Sequence, residues 1–176
     1  MSVPDEVVVQ RILAGEAELF RILVRRYREE FARYAASLCG DADVAADAMQ
    51  EAFIRAFDAL DSCREPARFK AWFFRILTNQ CHNARRGLGV RGRLDDIVVT
   101  AADRADAGVS DEELREAIDA ALGQLTPEQR EAFVLKHVDG RSYAEIADLL
   151  GVGEDALKMR VHRARDALKK LLEPWS

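Results

Sequence analysis

Long apolar runs are missing from this chain of 176 residues. Nothing approaches the ~20 consecutive apolar residues needed to cross a bilayer, so no membrane insertion is expected. Val7-Val8-Val9 is too short for the core of a secretory signal, and Asp5 and Glu6 stand where such a signal carries positive charge. Cysteine is nearly absent. Cys39, Cys63 and Cys81 are an odd number with no CxxC spacing, which argues against a disulfide framework and for a reduced, cytoplasmic protein. Cys81 and His82 are adjacent rather than spaced as ligands, so neither a metal nor any other cofactor is expected. No nucleophile, carboxylate pair or metal cluster converges in the sequence, and an enzyme is not expected. Alternation of the kind that marks strands is missing too.

What is present is helical periodicity and segregated charge. Apolar residues recur at helical spacing through 5–13, 16–38, 43–60 and 66–86, and again through 111–122, 127–138, 142–150 and 154–172. Gly15, the pair Gly40-Asp41 and the stretch 61–65 punctuate the first group. Between the groups, 87–110 loses periodicity and holds Gly87, Gly89, Gly92 and Gly108. These features predict an all-α chain of two small helical domains, 1–86 and 111–176, joined by a flexible acidic linker at 87–110. Formal charge is −5, the reverse of the usual nucleic-acid footprint. Its distribution resolves the difficulty. From Arg64 to Arg93 eight basic side chains face one acid, Glu65, whereas from Leu94 to Glu131 eleven acids face three bases. Local fields steer partners, so two basic surfaces separated by an acidic stretch predict two DNA contacts with something else between them.

Ser142 and Glu145 form a capping box ahead of an apolar stripe of Ile146, Leu149 and Leu150. Gly151 supplies the backbone freedom to leave that helix. A second helix from about Glu154 carries Leu157, Val161, Ala164 and Leu168 on one side, and Lys158, Arg160, His162, Arg163 and Arg165 on the other. A capped short helix, a glycine turn and a basic second helix make a helix-turn-helix of the kind that enters a major groove. Thr126, Pro127 and Gln129 mark another helix start just upstream.

The first domain carries aromatic and basic side chains on one helix, 69–86. Phe69, Phe73, Ile76 and Leu77 are placed to form its buried stripe, leaving Trp72, Arg75, Asn79, His82, Asn83 and Arg86 on the other face. Rings beside cations and amides suit single-stranded nucleic acid, because unstacked bases stack on the rings while arginines hold phosphates. The plainer reading makes Trp72 and Phe74 core residues. The preceding helix, 43–57, gathers Asp47, Gln50, Glu51, Ile54 and Asp58 at three- and four-residue steps, an acidic and partly apolar face suited either to protein docking or to solvent.

Leu19-Phe20 through Tyr27, the run Asp47–Phe53, the run Phe69–Asn79, the run Leu125–Arg130 and the helix-turn-helix, in that order, resemble the extracytoplasmic-function (ECF) sigma factors of bacterial RNA polymerase, within the sigma-70 family. The similarity runs through 16–86 and 111–172. It implies a sigma-2 helical bundle and a sigma-4 helix-turn-helix, and a non-enzymatic initiation factor that directs core polymerase to promoters and assists melting. The partners implied are core RNA polymerase (through its beta-prime clamp helices and beta flap), promoter DNA and an anti-sigma factor. By resemblance, Asp47, Gln50, Glu51 and Phe53 belong to the polymerase-binding surface. Asp61, Arg64, Arg68, Trp72, Arg75, Asn79 and Asn83 correspond to the part that opens and reads the minus-ten element. Lys136, Lys158, Met159, His162 and Arg163 align with contacts to the minus-thirty-five element.

One stretch departs from the pattern. The family shows Gly-Thr-Val-Lys-Ser-Arg at the head of the recognition helix, and this chain has Asp155-Ala-Leu-Lys-Met-Arg160. Asp155 suits a helix N-terminus but repels phosphate, and Met159 cannot donate to a base. The family's minus-thirty-five preference therefore does not transfer. The competing expectation is a free-standing helix-turn-helix regulator whose first domain senses or dimerises.

Overall fold

The computed structural model describes residues 3–87 and 111–175; the stretch expected to be the linker lies almost wholly outside them. Among the described residues there are eight α-helices and no strand. The first four are α1 (Asp5–Leu13), α2 (Phe20–Cys39), α3 (Ala42–Asp58) and α4 (Phe69–Gly87). The second four are α5 (Asp111–Gln124), α6 (Pro127–His137), α7 (Tyr143–Leu150) and α8 (Glu154–Leu171).

Local chemistry explains the boundaries. α2 stops at Gly40, whose left-handed φ of 75° is open to a residue without Cβ. Asp41 then caps α3, its carboxylate accepting from the Asp43 and Val44 N–H groups at 2.9 Å. The predicted capping box forms at Ser142–Glu145, and the helix start read at Thr126 carries a second one, Thr126–Gln129. Gly151, at φ 67°, turns the chain from α7 towards α8.

The core of the first group is aromatic. Phe20, Leu23, Tyr27, Phe31, Tyr34 and Leu38 lie along one face of α2 and are buried. Phe69, Phe73, Phe74, Leu77 and Cys81 line α4 in the same way. Phe74 belongs to this stripe, as the plainer reading had it, whereas Ile76 is only partly buried. Phe53 stacks on Phe73 at 4.5 Å between centroids and Tyr34 lies 4.7 Å from Phe74. Each such pair is worth about 0.5–1.5 kcal/mol beyond its buried area. α3 presents Ala45, Ala48, Ala52 and Ala56 inward, which lets its backbone approach α2 and α4 closely.

In the second group Leu157, Val161, Ala164 and Leu168 of α8 are all buried. Arg130 is buried as well and donates to the Leu122, Gly123 and Leu125 carbonyls, closing the C-terminus of α5. The two groups do not stand apart. Ala132, Val134, Leu135, Ile146, Leu149, Leu157 and Val161 join the first group's core in one continuous cluster. The seam is formed by α6 on α2 and α7 on α4.

Candidate nucleic-acid and polymerase interfaces

α8 turns its charged side outward because its apolar residues are spent against α6 and α7. Lys158, Met159, His162 and Arg163 are exposed together, with Met159 nearly half exposed. Asp155 sits in the first turn of α8, fully exposed, and its carboxylate accepts from Lys158 Nζ at 3.3 Å. That pairing offsets part of the positive charge at the head of α8. His162 is similarly close to Asp166, at 3.3 Å. Lys136 is placed differently from these exposed side chains of α8. It is partly buried, donates to the Arg141 carbonyl at 3.1 Å and lies 4.6 Å from the Tyr143 ring centroid. Its charge therefore braces the entry to α7.

On the first group, Trp72, Arg75, Asn79 and Asn83 follow one face of α4 at three- and four-residue steps, the last three exposed. Trp72 is half-buried, 5.6 Å from the Phe69 ring. It is neither a wholly free stacking platform nor a sealed core residue. Asp61 and Arg68 belong to the two short turns that precede α4, Leu60–Ser62 and Pro66–Arg68, and Arg64 lies between them. Arg64, Arg68, Trp72 and Arg75 line one wall of a cleft of about 280 Å³. The opposite wall is Asp148, Leu149, Leu150 and Gly151 from the end of α7. His82, expected on the exposed side, is partly buried, and burial pushes its pKa down, with Arg130 and Arg86 adding to the effect.

α3 presents Asp47, Gln50, Ile54 and Asp58 to solvent, and Glu51 is partly exposed while accepting from Arg55 at 2.8 Å. Ile54 is 48 % and Phe57 43 % exposed, so the acidic face has an apolar centre. Phe53 departs from the grouping that the resemblance implies. Only 8 % exposed, it packs on Phe20 and Phe73, because the inward register of α3 at Met49, Ala52 and Ala56 carries it into the core. It backs the acidic face of α3 from beneath and offers little of itself to a partner.

Periodicity did not single out a second apolar feature. Ile118, Leu122, Phe133, Leu168 and Leu172 line an open groove of about 660 Å³, with Arg165, Asp166 and Lys169 along its rim. Ile118, 39 % exposed on α5, is part of this lining.

Two family models match the chain: sigma-70 region 2 over residues 23–90 and sigma-70 region 4 over residues 115–168. The "ECF RNA polymerase sigma-E factor" of Escherichia coli K12 is 31 % identical over 182 residues, which cover 97 % of this chain and 95 % of that one. This chain is an ECF sigma factor. The "RNA polymerase sigma-H factor" of Pseudomonas aeruginosa is 33 % identical over 185 residues, covering 97 % and 94 %. Among solved structures, CnrH in complex with the cytosolic domain of CnrY aligns with a TM-score of 0.68 at 29 % identity, over 99 % of this chain and all of that one. RpoE of Bartonella quintana, solved with the anti-sigma factor NepR, aligns with a TM-score of 0.52 at 27 % identity, over 89 % and 96 %. This sigma factor is a non-enzymatic initiation factor that directs RNA polymerase to promoters. The match to region 2 removes the regulator reading, which left the first group without a stated partner. None of its described helices is long and apolar enough to cross a membrane.

Proposed function

We propose a division of labour among the surfaces of this sigma factor. The face of α3 built from Asp47, Gln50, Glu51 and Ile54 docks on the clamp helices of core polymerase, with Phe53 holding it from inside. Asp61, Arg64, Arg68, Trp72, Arg75, Asn79 and Asn83 engage the melted minus-ten strand. A base extruded from the duplex loses a few kcal/mol of stacking and pairing, and a ring with flanking cations recovers part of it. Lys158, Met159, His162 and Arg163 face the minus-thirty-five element, Lys136 supports them through the Arg141 carbonyl, and the apolar groove between α5 and α8 suits the beta flap.

The carrying observation is the pair of cationic faces on separate helices, α4 and α8, in a chain matching regions 2 and 4. The working units are 1–86 and 111–176, joined by 87–110, and the site of action is the cytoplasm. An anti-sigma factor is the fitting regulator, since the solved relatives CnrH and RpoE are seen with CnrY and the anti-sigma factor NepR. Reconstituted transcription with core polymerase on genomic fragments tests the reading. Initiation at a defined subset of fragments, lost when the α3 face is neutralised, is the expected result. Initiation indifferent to that face would refute the docking assignment.

A further inference from the structure

We infer that α8 selects its upstream promoter element through Met159, which packs on the methyl group of a thymine, and through Asp155, which accepts from the amino group of a nearby cytosine. The inference rests on the assignment of the outer face of α8 to the minus-thirty-five element. Leu157, Val161, Ala164 and Leu168 form the buried stripe of this helix. At about 100° per residue, Asp155, Met159, His162 and Asp166 fall along the opposite side, and all four are exposed. Bases flank that line, Lys158 and Arg165 on one side, Arg160 and Arg163 on the other.

A helix lying in a major groove meets base edges along its outermost line and phosphates at its flanks. The flanks of α8 are cationic, which suits the two backbones. The line between them is acidic and apolar, and the choice of bases follows from that. Among the described residues of α8, Met159 is the one large apolar side chain left exposed. Its thioether carries no charge and donates no hydrogen bond. The feature it complements is the thymine methyl, the apolar group displayed in the major groove. An unbranched side chain with three rotatable bonds can follow that methyl without strain.

Asp155 stands in the first turn of α8, the end from which recognition helices reach base edges. Its carboxylate only accepts, so it requires an amino group. Adenine's amino group lies between two acceptors that repel a carboxylate, whereas cytosine's has an acceptor on one side alone. Lys158 Nζ is 3.3 Å from the same carboxylate and belongs to the flank, so it shields the acid from the phosphates it meets. Asp155 and Met159 are four residues apart, about 6 Å along the axis, which spans roughly two base pairs of B-DNA. The element read this way holds a cytosine and, within about two base pairs, a thymine on either strand.

The test uses the full chain assembled with core polymerase on a promoter found by the transcription assay. Each thymine of the upstream element is replaced in turn by deoxyuridine, which removes the methyl and keeps every hydrogen bond. Wild-type, Met159→Ser, Met159→Leu and Asp155→Ala holoenzymes choose between modified and unmodified promoters in competition, so uniform changes in affinity cancel. Both residues are exposed, and their replacement leaves the fold intact. The wild type should lose about two- to fivefold in binding at one thymine. Met159→Leu should keep that sensitivity and Met159→Ser should have none. The wild type should also prefer one cytosine near that thymine over the other bases by about fivefold, and Asp155→Ala should lose that preference. A wild type indifferent to every deoxyuridine, a Met159→Ser variant as sensitive as the wild type, or an unchanged base preference in Asp155→Ala overturns the inference. The functional reading stands through those results as long as scrambling the upstream element weakens wild-type binding. Binding untouched by scrambling overturns that reading and the inference with it.

Discussion

Arg130 shows how much one side chain can hold. Its guanidinium is buried, burial lowers its pKa to about 10, and it remains charged at neutral pH while closing three carbonyls at the end of α5. Hydrogen bonds to a charged donor contribute about 1.5–3 kcal/mol each, and orphaned buried carbonyls add their desolvation cost. Arg130→Ala should therefore destabilise the chain by about 3 kcal/mol or more in denaturant unfolding, with Arg130→Lys intermediate. At Trp72 the expected loss is functional. A stacked base is worth about 1–3 kcal/mol, so Trp72→Ala should impair transcription on a fully paired promoter more than on one mismatched at the minus-ten element. Equal defects on both templates would assign the ring wholly to packing against Phe69.

At the scale of one helix, α3 separates an exposed acidic face from a buried side by register alone. Asp47 and Gln50 point to solvent, Glu51 lies at the edge, and Phe53 turns inward among the aromatic rings. Replacing Asp47, Gln50 and Glu51 together with alanine should weaken core-polymerase binding and leave the thermal melt almost unmoved. Phe53→Ala should do the opposite at first measurement, costing about 3–5 kcal/mol of stability. A triple variant that melts early yet binds polymerase normally would reverse these roles. α8 shows a different economy of position: its apolar side meets α6 and α7, and its free side carries Lys158 already engaged by Asp155.

The whole molecule places a titratable group at its seam. Glu131 on α6 faces Tyr34 of α2 and Thr78 of α4, with Arg160 of α8 and Glu128 of its own helix nearby. Burial pushes its carboxyl up to about 7 from an ordinary 4.5, against the lowering effect of Thr78, Tyr34 and Arg160. A raised carboxyl means that the packed seam holds a proton that a solvated Glu131 would release. Its contribution to the seam is complete below about 4.5 and is lost as pH rises through about 7. Scattering should show the chain expanding between pH 6 and pH 8, and Glu131→Gln should flatten that dependence while keeping the compact form. A wild-type radius that is constant across this range would remove Glu131 from the control of the seam.

Much of this protein was readable in order along the chain. Both capping boxes join residues three apart, the ends of α2 and α7 fall at glycines with positive φ, and the buried stripe of α8 repeats every three or four residues. Such features depend on backbone hydrogen bonding and on which side of a helix is apolar, quantities that a local stretch determines by itself. Periodicity tells that a face is covered without telling by what. It left Phe74 open between core and surface and placed Ile76 deeper than it lies. The resemblance put Phe53 among binding residues, and only the packing of α3 on α2 and α4 sent it inward. Arg68 and Asp148 are 80 residues apart, Glu30 and Arg141 111 apart. Nothing local couples such partners. Their meeting follows from how the two helical groups bury a common apolar cluster, which is a property of the folded whole.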